Sequence, residues 1–229
     1  MKFYTFNNCT LAFLLFICNN FSSAQNFKGG LILGIAACQV DGDGLVGFKK
    51  PGPIAGGFVT FDFSKSWAGE MQMVFIQKGA RFFPSATQVQ TASSAYIPVT
   101  NFSTYNMVLS YVEFPFLVKA TNKGFMYELG FSYGRLISSK EEVNFVDILS
   151  TIPGRKFLSN EYSLNIGIGT MLSKRMAAFA RFNYSVLPVR DAVGGRFIFF
   201  RTGQYNNNIQ ITLRYLLSKP KDSGSDKAE

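Results

Sequence analysis

The chain has 229 residues, of which 47% are hydrophobic, 16% aromatic and 16% charged, and its formal net charge is +9. It contains no histidine, which excludes histidine-based nucleophile systems, the usual zinc sites and the commonest general base near neutral pH. Its lysines and arginines are scattered rather than interleaved with stacking aromatics, so nucleic-acid binding is not expected.

The first residues are typical of a secretory signal peptide. Lys2 supplies a positive start, residues 11–18 form a short apolar stretch, and residues 22–24 place small side chains at a cleavage site. The apolar stretch is shorter than the ~20 residues that a membrane-spanning helix needs. We therefore predict a signal peptide over 1–24, with a lipoprotein cleaved at Cys18 as the alternative.

From residue 25 onward, apolar and polar residues alternate with a period of two, which is typical of β-strands. The pattern predicts eight strands, joined alternately by short turns and longer loops. The predicted strands cover residues 27–40, 53–63, 67–82, 105–120, 124–138, 160–172, 175–187 and 204–217.

Each predicted strand has one face of bulky apolar residues and one face of glycine, serine, asparagine and single charges. A soluble sandwich would expose a polar face rich in lysine, glutamate and threonine, whereas small polar residues suit a crowded, closed interior. The bulky face is then the one turned to lipid. The predicted fold class is all-β: an eight-stranded antiparallel transmembrane β-barrel over 25–217, with short periplasmic turns and long extracellular loops.

The same alternation predicts which side chains point inward and which point outward. Charges inside a barrel are tolerable when they are paired. We expect a polar network in the lumen formed by Glu70, Glu113, Lys119, Glu128, Arg181 and Arg214. We expect lipid-facing side chains at Phe114, Phe116, Phe131, Phe182 and Leu213. An aromatic girdle is predicted near the strand ends, at Trp67, Tyr105, Phe125 and Tyr162. Pro115, which lacks an N–H, predicts a local break in the hydrogen-bond ladder.

No arrangement of residues predicts catalysis, a metal site or a cofactor. Asp41–Gly44 could open a calcium loop, but the position that needs a glutamate is Gly52, so a surface turn is the preferred interpretation. The acidic residues between 141 and 147 fall in a predicted surface loop without fixed geometry. Cys38 is the one cysteine left after signal cleavage and has no predicted activating partner. Phosphate-binding loops, nucleophile elbows and metalloprotease motifs are missing from the sequence.

Four segments resemble PorT-type outer-membrane β-barrel proteins of Bacteroidetes. The run GGLILG at 29–34 and the run QVDGDGLVGF at 39–48 resemble that family's N-terminal hairpin. The runs MVFIQKG at 73–79 and YVEFPFLVK at 111–119 resemble its next two signature stretches. The resemblance implies an outer-membrane barrel, and PorT itself is associated with gliding and type IX secretion.

The C-terminus departs from the usual pattern of outer-membrane barrels. Such barrels often end on an aromatic residue of the last strand, whereas this chain continues for residues 218–229 beyond Leu217. We predict that this polar extension is a disordered periplasmic tail. Tyr215 is then the candidate for the aromatic signal that the insertion machinery reads.

The predicted function is that of a non-enzymatic protein of the Gram-negative outer membrane. It would contact outer-membrane lipid and act through surface loops or through protein partners of a secretion or surface-assembly system. Bulk transport is not expected, because side chains can fill an eight-stranded lumen. Two alternatives remain: a soluble lipocalin-like carrier, although Trp67 lacks the usual Gly-x-Trp context, and a lipid-modifying outer-membrane enzyme, although such designs mostly need histidine.

Overall fold

Eight long strands make up most of the fold. The computed structural model describes residues 27–45, 47–83, 104–149, 156–191, 196–198 and 201–217. The long strands are β1 (Phe27–Asp41), β2 (Lys50–Asp62), β3 (Trp67–Lys78), β4 (Tyr105–Asn122), β5 (Phe125–Val143), β6 (Asn160–Met171), β7 (Met176–Ser185) and β8 (Tyr205–Leu216). Four short strands lie at Arg81–Phe82, Val146–Asp147, Arg196–Ile198 and Arg201–Gly203. The predicted signal peptide (1–24) and tail (218–229) lie outside the described residues. Within those residues, no helix is long and apolar enough to cross a membrane.

The first and last strands close the sheet into a barrel. β1 and β8 pair antiparallel from Gly30 opposite Leu216 to Asp41 opposite Tyr205, and β1 also pairs with β2. Every other long strand likewise has a neighbour on both sides. Backbone N–H and C=O groups are therefore satisfied without an open edge, which is the condition for strands to cross hydrocarbon. This confirms the predicted fold class.

The connections divide into short turns on one rim and longer segments on the other. The short-turn rim is formed by residues 63–66, 123–124 and 172–175. Lys123 and Gly124 both have positive φ, 48° and 85°, as a two-residue type I′ hairpin turn requires. The long-loop rim is formed by the connections 42–49, 79–104, 144–159 and 186–204, parts of which lie outside the described residues.

Two irregularities interrupt the ladders of β4. Toward β3, the pairing runs through Phe116 opposite Met71 and resumes at Glu113 opposite Val74, so the ladder breaks at Pro115 without a change of register. Toward β5, the register shifts between Ser110 and Tyr111, which leaves one extra residue on β5. The break at Pro115 agrees with the missing N–H. The register shift between Ser110 and Tyr111 is a β-bulge that lies away from Pro115. Beyond this bulge, the residues of β5 that point inward are the alternate set.

The interior has an apolar sector as well as a polar one. Inward side chains of β1 to β4 form a buried cluster that includes Ile32, Val40, Ile54, Ile76, Leu109 and Tyr111. Inward side chains of β5 to β8 are mainly serine, asparagine, glutamine, arginine and glutamate. The sequence predicted small and polar groups throughout. The difference arises because β1 is apolar on both faces: Leu31 is 52% exposed outside, whereas its neighbour Ile32 is 1% exposed inside.

Candidate functional site

Charged and polar side chains cross the interior in three tiers. The tier nearest the short turns centres on Glu70 of β3, which is buried. Glu70 Oε1 accepts a hydrogen bond from Arg214 Nη1 at 2.8 Å, and Glu70 Oε2 accepts one from Thr60 Oγ1 at 2.7 Å. Lys119 also donates to Glu70 and reaches Thr60 Oγ1 at 3.2 Å. Both carboxylate oxygens are thereby satisfied, and the strands β2, β3, β4 and β8 are tied together.

A second carboxylate completes this short-turn tier from the opposite wall. Glu128 of β5 pairs with Arg214 Nη2 at 2.8 Å and with Arg181 Nε at 2.6 Å. Arg181 Nη1 continues to Gln72 Oε1 at 3.1 Å. The guanidinium of Arg214 also lies 3.6 Å from the ring centroid of Phe179, within cation–π range. Two carboxylates and three cations thus bridge β3, β4, β5, β7 and β8.

The middle tier is built around a buried lysine. Lys78 Nζ lies 2.6 Å from Glu161 Oε1, 3.0 Å from Glu113 Oε2 and 3.0 Å from Asn183 Oδ1. Ser132 Oγ donates to Glu113. Burying one ammonium with two carboxylates requires such additional donors, because each uncompensated charge in the interior is costly.

An amide ladder extends the middle tier along β6, β7 and β8. Asn183 Nδ2 donates to Asn165 Oδ1 at 2.9 Å, and Asn208 Nδ2 donates to Asn183 Oδ1 at 2.9 Å. Gln210 Nε2 donates to Asn208 Oδ1 at 2.8 Å. These residues are buried, so their mutual hydrogen bonds replace those that water would make.

The third tier closes the interior at the long-loop rim. Arg190, in the connection before β8, pairs in bidentate fashion with Glu141 at 2.7 and 3.1 Å. Tyr105 Oη donates to Glu141 Oε1 at 2.7 Å, and Arg190 Nε donates to Gln204 Oε1 at 3.0 Å. The Arg190 guanidinium also lies 4.3 Å from the Phe157 ring centroid. A loop arginine therefore fixes residues 188–190, which are buried, inside the barrel mouth.

Asp43 sits beside this third tier, in the connection between β1 and β2. Burial, and to a smaller extent the neighbouring Asp41, raise the pKa of its carboxyl to about 7, although the Leu45 backbone N–H and the Arg190 charge act to lower it. Asp43 Oδ1 accepts from Leu45 N at 2.8 Å, while Oδ2 has no hydrogen-bond partner among the described residues. The described part of the chain brings together no group of three or more residues suited to hold a metal ion.

The bulky residues predicted to face lipid lie on the outside of the barrel. Phe116, Phe131, Phe182 and Leu213 are 39–58% exposed, and Phe114 is half-buried among its neighbours. Phe116 and Phe131 stack across β4 and β5 with ring centroids 5.2 Å apart. Such a cross-strand aromatic pair stabilises the pairing of the two strands.

The predicted aromatic girdle is wrong at one position. Trp67, Phe125 and Tyr162 are 44–53% exposed on the outer surface. Tyr105 is 1% exposed and lies inside, because it shares the inward phase of Glu113 on β4. Its hydroxyl is used by the third tier, not by a membrane interface.

Several members of the tiers are not among the residues that the sequence predicts for the interior. Lys78, Glu161 and Asn183 lie on inward phases of their strands, and counting alternate positions from Glu70 on β3 would have reached Lys78. Arg190 carried no such signal, because it lies in a connection whose path is set by the folded barrel. Cys38 is buried in the apolar sector and its Sγ lies 3.6 Å from the Gln77 carbonyl oxygen.

Comparison with protein-family models agrees with this architecture. The family model described as outer membrane protein beta-barrel domain matches residues 22–190. The crystal structure of Ail, the attachment invasion locus protein of Yersinia pestis, in complex with the heparin analogue sucrose octasulfate is similar at 12% identity and a TM-score of 0.46, covering 83% of this chain and 98% of that chain. The crystal structure of Neisserial surface protein A (NspA) is similar at 8% identity and a TM-score of 0.44, covering 82% of this chain and 96% of that chain. No curated protein matches the chain in sequence.

Proposed function

The chain belongs to the outer membrane protein beta-barrel domain family, and from this premise we propose that it is a non-conducting barrel that acts through its long-loop rim. The protein is located in the outer membrane of the Gram-negative cell envelope. The proposal concerns what it does there: it presents a surface to protein partners, and its interior serves as a rigid support.

The observation that carries this proposal is that side chains block the interior. Three tiers of ion pairs cross the lumen, and an apolar cluster packs against them. A water-filled pathway would require breaking buried pairs, which costs about 3–5 kcal/mol for each pair that loses one partner. The surfaces available for function are then the two rims of the barrel. Binding residues commonly lie on loops that a rigid scaffold positions.

A PorT-like role in secretion or surface assembly is the more specific form of the proposal. Its support is the likeness of residues 29–34, 39–48, 73–79 and 111–119 to that family. Three of these segments lie on the strands β1, β3 and β4, and 39–48 runs from β1 into the long-loop rim. The proposal therefore predicts that loop replacements, and not changes to outward aromatics, disturb partner contacts.

The experiment is a deletion strain scored for secreted and surface-exposed proteins. Complementation uses the wild-type chain, a variant whose residues 84–103 are replaced by a short glycine-serine linker, and the matched control Lys65→Gln on the short-turn rim. We expect the wild type and the control to restore the deletion phenotype and the loop variant to fail although it still inserts in the membrane. Full rescue by the loop variant would overturn the proposal.

We further propose the domain limits: a signal peptide over 1–24, a barrel over 25–217 and a tail over 218–229. The support is the apolar stretch before residue 24 and the last barrel residue pairing, Leu216 opposite Gly30. Mass spectrometry of the protein purified from outer membranes measures the mature N-terminus. A mature chain that begins at Gln25 is expected, and one that begins at Cys18 with a lipid attached would contradict the assignment.

A further inference from the structure

The barrel contains a cavity at the short-turn rim that the proposed function does not use. Its volume is about 560 Å³, within the range of roughly 300–1,000 Å³ that is typical of small-molecule sites. The cavity is open toward the short turns. Its floor is the short-turn tier, where Arg214 and Glu70 are paired with each other.

The inner walls of the cavity are apolar. Phe58, Phe179, Ala177 and Leu216 line it, and the first three are buried. On the floor, the Glu70 carboxylate and the Arg214 guanidinium each have an ionic partner, so the floor does not require a charged ligand. An apolar group would instead bury its own surface against these side chains, and burial of apolar surface is favourable at about 25 cal/mol per Å².

The mouth of the cavity is basic. Lys174 and Arg175, in the turn between β6 and β7, line it, and neither side chain has an ion-pair partner among the described residues. Lys28 is held by Asp62 at 2.6 Å. The lining carries five cationic side chains (Lys28, Lys119, Lys174, Arg175 and Arg214) against two carboxylates (Asp62 and Glu70), which is a formal charge of +3.

From this combination we propose that the short-turn mouth of the barrel binds a small amphiphilic anion. Its acidic head group lies between Lys174 and Arg175, and its apolar part enters the cavity toward Phe58 and Phe179. The chemistry fits two sources equally: the carboxylate end of a peptide and a free organic acid. In the orientation that outer-membrane barrels share, short turns face the periplasm, so the ligand is a periplasmic one.

The test uses the full mature chain in nanodiscs of phosphatidylcholine, with empty nanodiscs as the blank. Isothermal titration measures binding of N-acetylphenylalanine, 4-phenylbutyrate and the neutral N-acetylphenylalaninamide. We expect one or both acids to bind at least about tenfold more tightly than the amide, because charge-assisted contacts are lost in the amide. The tighter acid identifies the source. Failure of both acids to bind, or equal binding of the amide, would overturn the proposal.

Two variants and one matched control locate the site. The double change Lys174→Gln and Arg175→Gln removes the mouth charges on an exposed turn, and should weaken acid binding about tenfold or more. Ala68→Phe fills the cavity from β3 and should abolish binding. Lys123→Gln changes a short-turn lysine that does not line the cavity, and should leave binding unchanged. Equal weakening by Lys123→Gln would overturn the proposal. Binding that appears only after truncation beyond Leu217 would also overturn it, because the tail would then be the occupant of the cavity.

Discussion

Arg214 of β8 and Glu70 of β3 meet inside the barrel although they stand 144 positions apart in the chain. Their Nη1 and Oε1 atoms are 2.8 Å apart, and both side chains are almost completely buried. The same guanidinium also pairs with Glu128. This contact joins strands that are separated by β1 and β2 on one side of the barrel, so it acts as a cross-brace rather than as a link between neighbours.

Loss of this brace should destabilise the barrel strongly. Arg214→Met leaves Glu70 and Glu128 with fewer cationic partners in the interior, and removing one partner of a buried pair costs about 3–5 kcal/mol. Urea unfolding of protein refolded into lipid vesicles measures the change. The control Lys28→Met breaks the half-exposed pair with Asp62 and should cost about 0–1 kcal/mol. Similar losses in the two variants would contradict the brace.

The three tiers of ion pairs that cross the interior predict that the protein does not conduct ions. Wild-type barrel reconstituted in a planar bilayer should give no single-channel steps, whereas a general porin treated in the same way should give them. Arg190→Ala should also remain silent, because it opens the long-loop tier and leaves the other two tiers intact. Discrete conductance steps from the wild type would show that the tiers move apart in the membrane.

Gly167 of β6 lies under the carboxylate of Glu128. A Cβ at this position would stand 2.8 Å from Glu128 Oε1 and 2.9 Å from the Ala180 carbonyl oxygen. Gly167→Ala should therefore destabilise the barrel by about 1–3 kcal/mol, since overpacking forces neighbours to shift. Gly29→Ala is the matched control, because its nearest contact would be an ordinary 3.8 Å. Equal stability of both variants in urea unfolding would argue against a rigid short-turn tier.

Much of the fold follows from local alternation, but the partners inside the barrel do not. A period of two is enough to place Glu113 and Glu128 on the inward phase of their strands, since each is flanked by bulky residues. It does not say that Lys78 binds Glu113, because that contact depends on the curvature and register of the closed sheet. The bulge beside Tyr111 is equally invisible, since both sides of it alternate regularly.

The long-loop end was the least predictable part. Residues 139–142 are polar or charged, so the sequence assigned residues 139–143 to a loop, whereas β5 continues to Val143. Glu141 is inward there because the register shift beside Tyr111 reverses the phase of β5, and Arg190 from a distant connection pairs with it. Tertiary contacts thus override the local polar signal, and they do so where a loop folds back into the barrel.

Asp43 should make stability fall as the pH rises. Its folded-state pKa of about 7 lies above the ~3.9 of an unfolded chain. Between these values Asp43 is ionised in the unfolded state and protonated in the folded state. The contribution of Asp43 to folding stability is therefore fully present at acid pH and is lost by about pH 7. Asp43→Asn should remove this dependence, and its advantage over the wild type should grow from pH 4 to 7. The exposed Asp191→Asn serves as control, and a parallel shift of both curves would refute the assignment.

The outward position of Phe131 predicts a depth-dependent response to charge. It lies in the middle part of the barrel wall, stacked on Phe116 and 58% exposed. If hydrocarbon surrounds it, Phe131→Arg should destabilise the refolded protein by about 2–4 kcal/mol, the cost of arginine near the bilayer midplane. Phe27→Arg at the strand end should cost only about 0–1 kcal/mol, because residues near the interface reach head groups and water. Equal costs at both positions, or improved behaviour of the Phe131 variant in detergent-free buffer, would mean that water rather than lipid covers this face.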